Sequence, residues 1–291
     1  MTTALVVAAC LQVSGRAWVT PAVRAPGVTQ HRLASKAART EVSYHVFLPH
    51  DYESKPKEKF PVLIWLHGSG GGLAGIGPVS GFFDAAMRAG KVPSMILVFP
   101  NSFANGMWCD SVDGQQPIET IVIRELIPEV DRKFRTHARR ESRLVEGFSM
   151  GGYGAGRFGF KFPQMFAGVS MLAAGPLDLE FKGPKTEQNP KLRENILHSV
   201  FGGSLEKYQA QSPWKLAETN APQLRSGPKI RICIGERDFT LPANRTFSEH
   251  LTSLKIPHEF TTRPGVGHDT LALLRALGED NWKFYQSALK E

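Results

Sequence analysis

The sequence predicts an α/β fold with a mostly parallel central sheet, helices on both faces and an antiparallel start. Three observations carry this. Short, near-continuous apolar runs at 61–68, 94–100, 166–173 and 229–235 read as strands buried on both faces. Helix-like segments alternate with these runs, as crossovers between parallel strands require. The first two strand-like segments are instead separated by a short connection, which suits an antiparallel pair.

In chain order, "VTQHRL" and "EVSYHVFLP" are the two opening strands. In the second, Val42, Tyr44, Val46 and Leu48 alternate onto one side. "PVLIWLHG" and "SMILVFP" are the next two, and "SGFFDAAMRAG" between them is a short helix with Gly90 suited to its C-terminal end. "PIETIVIRELIPEVDRKFR" is a longer helix. Pro117 fits its first turn, Ile118, Val122, Leu126 and Val130 share one face, and Pro128 predicts a kink. "RLVEG" is a strand, "GYGAGRFGFKFP" a helix, and "FAGVSMLA" and "KIRICIG" are further strands. "HEFTTRPG" is more polar and belongs nearer a sheet edge. The segments at 244–255 and 270–289 are helical. Residues at about 177–227 break the rhythm with short helices and read as an insertion over one end of the sheet. The domain thus runs over 28–291.

Residues 1–27 read as a leader remnant or a disordered arm. Val7-Ala8-Ala9-Cys10 resembles a lipoprotein cleavage box and points towards export, although a basic n-region and a long apolar core are lacking. No run of eighteen apolar residues is present, so no membrane span is expected. The net charge of +8 is densest in "DRKFRTHARRESR". Acidic residues punctuate that run and no nucleic-acid motif accompanies it, so it reads as a solvated face rather than a nucleic-acid site. Cys10, Cys109 and Cys233 have no metal-ligand spacing, and Cys233 reads as buried.

The chemistry centres on "EGFSMGGYG". A serine hydroxyl needs a base and an exposed position to attack a carbonyl carbon. A sharp turn from strand to helix exposes it, and the tight corner requires small residues two positions either side, here Gly147 and Gly151 around Ser149. An acid and then a histidine should follow. His268, in "RPGVGHD", has the chain order and the loop setting that the other eight histidines lack. Asp238 and Glu236 both follow the "KIRICIG" strand; Asp238 is the chosen acid and Glu236 the alternative. Asp269 adjoins His268 too closely to orient it. The oxyanion donors are expected to be the Met150 N–H and the N–H of Ser69 or Gly70 in "HGSGGG", with His67 bracing that loop. The same glycines lack the lysine of a phosphate-binding loop and fit a dinucleotide fingerprint only loosely.

These motifs together resemble the α/β-hydrolases of the putative-esterase family, which includes feruloyl and acetyl xylan esterases, S-formylglutathione hydrolases and mycolyltransferases. "LHGSGG", "DGQQPIETIVIRELIPEVDRKFRT", "EGFSMGGYGAGRFGFKFPQMF" and "GERD" followed by "GVGH" carry the likeness, over roughly 28–289. The resemblance implies a Ser149–Asp238–His268 triad, ester hydrolysis through an acyl-enzyme, and no metal or organic cofactor. The expected substrate is a small-molecule or polysaccharide-linked ester, with cinnamoyl or acetyl esters of plant polysaccharide preferred. Alternatives are S-formylglutathione, a polyester or acyl transfer, and, from another class, a non-catalytic binding protein on the same scaffold. Trp108 reads equally as a substrate wall or a core residue, and Trp214 is a second wall candidate. Glu146, a carboxylate inside the nucleophile strand, is expected either to pair with an arginine or to touch the pocket.

Overall fold

The computed structural model describes residues 17–182 and 190–289. Strands β1 (Val28–Ser35), β2 (Thr40–Phe47), β3 (Val62–Leu66), β4 (Ile96–Phe99), β5 (Arg143–Phe148), β6 (Gly168–Leu172), β7 (Lys229–Gly235) and β8 (Glu259–Arg263) form one sheet. Their order is β1-β2-β4-β3-β5-β6-β7-β8. The β1/β2 and β2/β4 pairs are antiparallel and all later pairs are parallel, as the sequence predicts. The polar strand β8 does lie at an edge.

Helices α1 (Leu73–Arg88), α2 (Ile118–Thr120), α3 (Ile127–Lys133), α4 (Met150–Lys161), α5 (Pro190–Phe201), α6 (Leu205–Ala210), α7 (Pro213–Thr219), α8 (Ala221–Arg225), α9 (Leu241–Ser253), α10 (Thr270–Leu277) and α11 (Glu279–Ala288) surround it. Because side chains alternate along a strand, β3 feeds two cores. Val62, Ile64 and Leu66 face one, with Val122, Tyr153, Phe158 and Phe247. Leu63 and Trp65 face the other, with Phe83, Leu274, Trp282 and Tyr285.

Four expectations change. Helix α1 begins at Leu73, seven residues before the predicted start at Ser80, and contains Pro78. Its first turns carry glycine and proline, whose low helix propensity hid them; packing overrides it. Pro117 is the N-cap of α2 rather than part of its first turn. Between α2 and α3 the chain is π-helical over Ile121–Leu126. Pro128 lacks the N–H that would bond the Arg124 carbonyl, and the wider turn lies directly before it.

Residues 17–27 are not a disordered arm. Ser43 donates its N–H to the Trp18 carbonyl (2.9 Å), Thr20 donates its N–H to Ser43 Oγ (2.8 Å), and Val23 donates to His45 Nε2 (3.2 Å). These partners are distant in sequence, so local composition gave no sign of them. The Val7–Cys10 box lies outside the described residues. Within the insertion, α7 packs against α4 and α9, on one face of the sheet.

The basic run is partly tied down. Arg143 pairs with Asp131 at 2.6 Å, and the Arg135 guanidinium lies 3.7 Å from the centroid of the Tyr52 ring. No helix among the described residues is long and apolar enough to cross a membrane.

Candidate active site

Ser149 follows the last residue of β5 and caps α4, with φ 58 and ψ −119. A serine in that region is strained, and the surrounding backbone must hold it. It does so by close approach. A Cβ at Gly151 would fall 1.9 Å from the Leu66 carbonyl oxygen, and one at Gly147 would fall 2.3 Å from the Gly151 carbonyl oxygen. Only glycine lets the strand, the corner and the start of α4 come this close. Ser149 donates its own N–H to the Leu172 carbonyl (2.9 Å), which ties the corner to β6.

His268 arrives on the loop after β8. Its Nε2 stands 2.9 Å from Ser149 Oγ and its Nδ1 stands 2.7 Å from Asp238 Oδ2. The carboxylate only accepts, so Nδ1 carries a proton and Nε2 is free to accept from the serine hydroxyl. Asp238 Oδ1 accepts from both the N–H (2.8 Å) and the hydroxyl (2.9 Å) of Thr240. Burial raises the carboxyl's pKa, but the bonds from His268 and Thr240 outweigh it and hold Asp238 below the usual carboxylate range. Glu236 instead accepts from Thr262 at an exposed site (3.1 Å), and Asp269 caps α10 by accepting the Ala272 N–H (2.6 Å).

Two aromatic residues that sequence reasoning passed over flank the imidazole: Phe148 and Phe239, with ring centroids 4.6 and 4.4 Å from that of His268. Each directly adjoins a predicted triad residue, which was the available signal. Thr240 was also missed, although an aspartate two residues before a hydroxyl is a common turn pairing.

The loop after β3 borders the serine: a Cβ at Gly68 would sit 3.3 Å from Ser149 Cβ. The Met150 N–H stands in the first turn of α4, where no intrahelical acceptor exists. Gly70 donates its N–H to the Ala104 carbonyl (2.8 Å). Of the two N–H groups expected to face an oxyanion, that of Gly70 is thus already bonded. His67 braces the loop as expected. Ser102 donates its N–H to His67 Nε2 (3.2 Å), so Nδ1 carries the proton and donates to the Gly68 carbonyl (2.7 Å). Burial pushes the His67 pKa down to about 4, which keeps this ring neutral.

A cleft of about 430 Å³ opens over this constellation, lined by His67, Ser69, Phe148, Ser149, His268 and Leu271 among others. Neither predicted tryptophan wall lines it. Trp108 is fully buried, donates its Nε1–H to the His67 carbonyl (3.1 Å), and fills the space that Gly154 leaves. Arg157, also buried, binds the Trp108 carbonyl and pairs with Glu119 at 3.0 Å, which fastens the Trp108 loop beneath the site. Trp214 donates to the Leu177 carbonyl (2.6 Å) and packs on Phe247 and His250. It serves the seam between α7 and α9, and no described residue of the insertion lines the cleft.

Glu146 pairs with an arginine. The register aligns Glu146, Ser170 and Arg231 across β5, β6 and β7. Arg231 Nη2 bonds Glu146 Oε2 (2.8 Å) and its Nε donates to Ser170 Oγ (2.8 Å), while the Tyr285 hydroxyl lies 2.8 Å from Glu146 Oε2. All of this is buried away from the cleft. Among the described residues, no group of three or more His, Cys, Asp or Glu is placed to hold a metal ion.

The family model described as Putative esterase matches residues 35–291, and the chain belongs to that family. Fold and family together define the class: a member of the putative-esterase family with the α/β-hydrolase fold. Among individual proteins, the chain is 28% identical to an esterase of Mycobacterium tuberculosis, over 84% of this chain and 56% of the relative. It thus spans about half the length of that relative. It is 26% identical to an acetyl esterase of Caldicellulosiruptor saccharolyticus, over 83% of this chain and 92% of the relative. A solved structure of a ferulic acid esterase superposes with a TM-score of 0.70 at 28% identity, covering 90% of this chain and 94% of that one.

Proposed function

We propose that the chain is a serine carboxylic ester hydrolase that works through an acyl-enzyme, with Ser149 as nucleophile, His268 as base and acid, and Asp238 as orienting carboxylate. The observation that carries this reading is the continuous pair of hydrogen bonds from Asp238 through His268 to Ser149 Oγ, at 2.7 and 2.9 Å. His268 Nε2 takes the hydroxyl proton as Oγ bonds to the ester carbonyl carbon. The carbonyl oxygen becomes an oxyanion that the N–H groups of Met150 and Ser69 stabilise. As the intermediate collapses, the bond to the alkoxy oxygen breaks and His268 returns the proton to that oxygen, releasing the alcohol. Water then attacks the acyl-enzyme by the same route, and the acid and free Ser149 are regenerated. Throughout, Asp238 stays ionised and stabilises the imidazolium.

The preferred substrates are cinnamoyl or acetyl esters of plant polysaccharide. The likeness to an acetyl esterase and to a ferulic acid esterase supports this class. The apolar ring of Phe148, which lines the cleft beside His268, suits an aromatic or small acyl group.

Initial rates on methyl ferulate and p-nitrophenyl acetate, with Ser149→Ala as the blank, test both levels. Turnover of both esters that the substitution abolishes supports the whole reading. Turnover of the acetate alone keeps the mechanism and moves the substrate to small acyl groups. Wild-type rates equal to the blank, together with no covalent labelling by a fluorophosphonate, would favour a non-catalytic scaffold.

A further inference from the structure

The described residues 17–34 precede the family match, which starts at 35, yet the segment at 17–23 is bonded to the loop after β4, which in turn holds the loop that borders Ser149. Asn101, in the loop after β4, is the link. Its Nδ2 donates to the Ala17 carbonyl (2.9 Å), and its Oδ1 accepts the Phe103 N–H (3.1 Å). The Trp18 ring meets the Phe103 ring edge-on, with centroids 4.5 Å apart. Phe103 itself has φ 53, a left-handed conformation that a bulky side chain adopts only when its surroundings impose it.

From this clamped segment two bonds pass to the oxyanion loop. Ser102 N–H holds His67 Nε2, whose other nitrogen holds the Gly68 carbonyl, and the Ala104 carbonyl holds the Gly70 N–H. Ser69 lies between these two fixed points. The start of the loop is also held by the Trp108 Nε1–H bond to the His67 carbonyl, but its middle is unpacked. Gly70 and Gly71 have φ of 95 and 89, and a Cβ at either would meet nothing within 4 Å. A cavity of about 390 Å³, lined by Ala17, Thr20, His45, Gly71 and Phe103 among others, separates the loop from the arm. A glycine-rich loop beside a cavity takes its position from its hydrogen bonds rather than from packing.

We infer that the segment at 17–23 is a positioning element for the oxyanion loop, with Trp18 and Asn101 as the positioning residues that act on Ser69 through the Ser102–Ala104 segment. The inference rests on the serine-esterase reading above. An oxyanion donor contributes only when it is held where the charge develops, and a displacement of about 1 Å costs about a hundredfold in rate.

The test compares Trp18→Ala, Trp18→Phe and Asn101→Ala with wild type on p-nitrophenyl acetate and methyl ferulate, with thermal melting on every protein. The expected result for Trp18→Ala is a fall in kcat of about ten- to a hundredfold, equal on both esters, with KM within about twofold. Trp18→Phe restores most of the rate, because it keeps a ring against Phe103. Asn101→Ala gives the same uniform loss and stands in if Trp18→Ala does not fold. Unchanged kcat in folded variants, whatever their melting temperature, would reduce the arm to a structural role and overturn the inference. A loss confined to methyl ferulate would also overturn it, since that pattern marks a substrate wall. If Ser149→Ala leaves the wild-type rate intact, the underlying reading fails first, and this inference falls with it.

Discussion

Arg231 on β7 reaches across β6 to Glu146 on β5, and the two meet at 2.8 Å with Glu146 fully buried. Glu146 lies one residue before Gly147, inside the strand that leads to Ser149, yet the pair lines no part of the cleft. Ser170, Tyr285 and the Asn281 side chain bond to the guanidinium, and the Phe284 ring lies 4.2 Å from it. The charges are therefore paired and hydrogen-bonded rather than merely adjacent, which is the condition for keeping them in a core.

Removing one partner leaves the other charge buried without compensation. Arg231→Ala or Glu146→Ala is expected to cost about 3–5 kcal/mol in urea unfolding. The fraction that remains folded should keep near-normal kcat, because no triad bond is lost. A cost under about 1 kcal/mol in either variant would mean that the pair is solvated in solution.

On the proposed mechanism, the bonds from Asp238 through His268 to Ser149 predict unequal losses. Ser149→Ala should lower kcat by about four to six powers of ten. Asp238→Asn should lower it by about four, because an amide cannot hold the same imidazole tautomer or stabilise its cation. Near-normal turnover in either purified variant would remove that residue from its role.

Asp238 also links stability to acid. Its folded pKa lies below the unfolded value, so its contribution to stability is fully present above the ordinary aspartate range and is lost as pH falls through the folded pKa. Melting temperatures followed downward from pH 5 should fall more steeply in wild type than in Asp238→Asn. Parallel curves would contradict the depressed pKa.

His67 acts in a higher window. Its pKa falls from 6.5 in the unfolded chain to about 4 in the folded one, because burial disfavours the charged ring. Between those values the unfolded chain binds more protons, so the His67 contribution is complete above about pH 6.5 and is lost on descent towards pH 4. Urea midpoints at pH 7 and pH 4.5 should differ less in His67→Gln than in wild type, and an equal difference would show that the ring is accessible to protons.

Gly151→Ala tests the corner itself. The added methyl would sit 1.9 Å from the Leu66 carbonyl oxygen, which is backbone and cannot swing aside. At least about 3 kcal/mol of destabilisation is expected, with activity lost in whatever folds. A stable, active variant would show that the loop after β3 can retreat from α4.

Much of this protein was legible one segment at a time. The apolar runs marked the buried strands because a strand covered on both faces has few positions for a polar side chain; Glu146, Ser170 and Arg231 are among the exceptions, and they bond to one another. The order of Ser149, Asp238 and His268 along the chain, each on the loop or corner after a strand, was enough to select them. Trp108 and Trp214 were harder. An aromatic residue near a motif has the same local pattern whether it faces a cleft or a core, and only the packing of α4 and α9 placed both away from the cleft.

By itself, then, the sequence determined the strand pattern, the antiparallel start, the glycine corner and the identity of three aligned side chains, because these depend on spacing and residue type over short stretches. Tertiary structure decided that the Gly70 N–H in the loop after β3 is bonded to Ala104, which carboxylate reaches His268, and that residues 17–27 are ordered against β2 and the loop after β4. Those outcomes depend on hydrogen bonds between segments tens of residues apart, such as Asn101 with Ala17 and Gly70 with Ala104, and the energy of such bonds is set by distance and direction that no local pattern encodes.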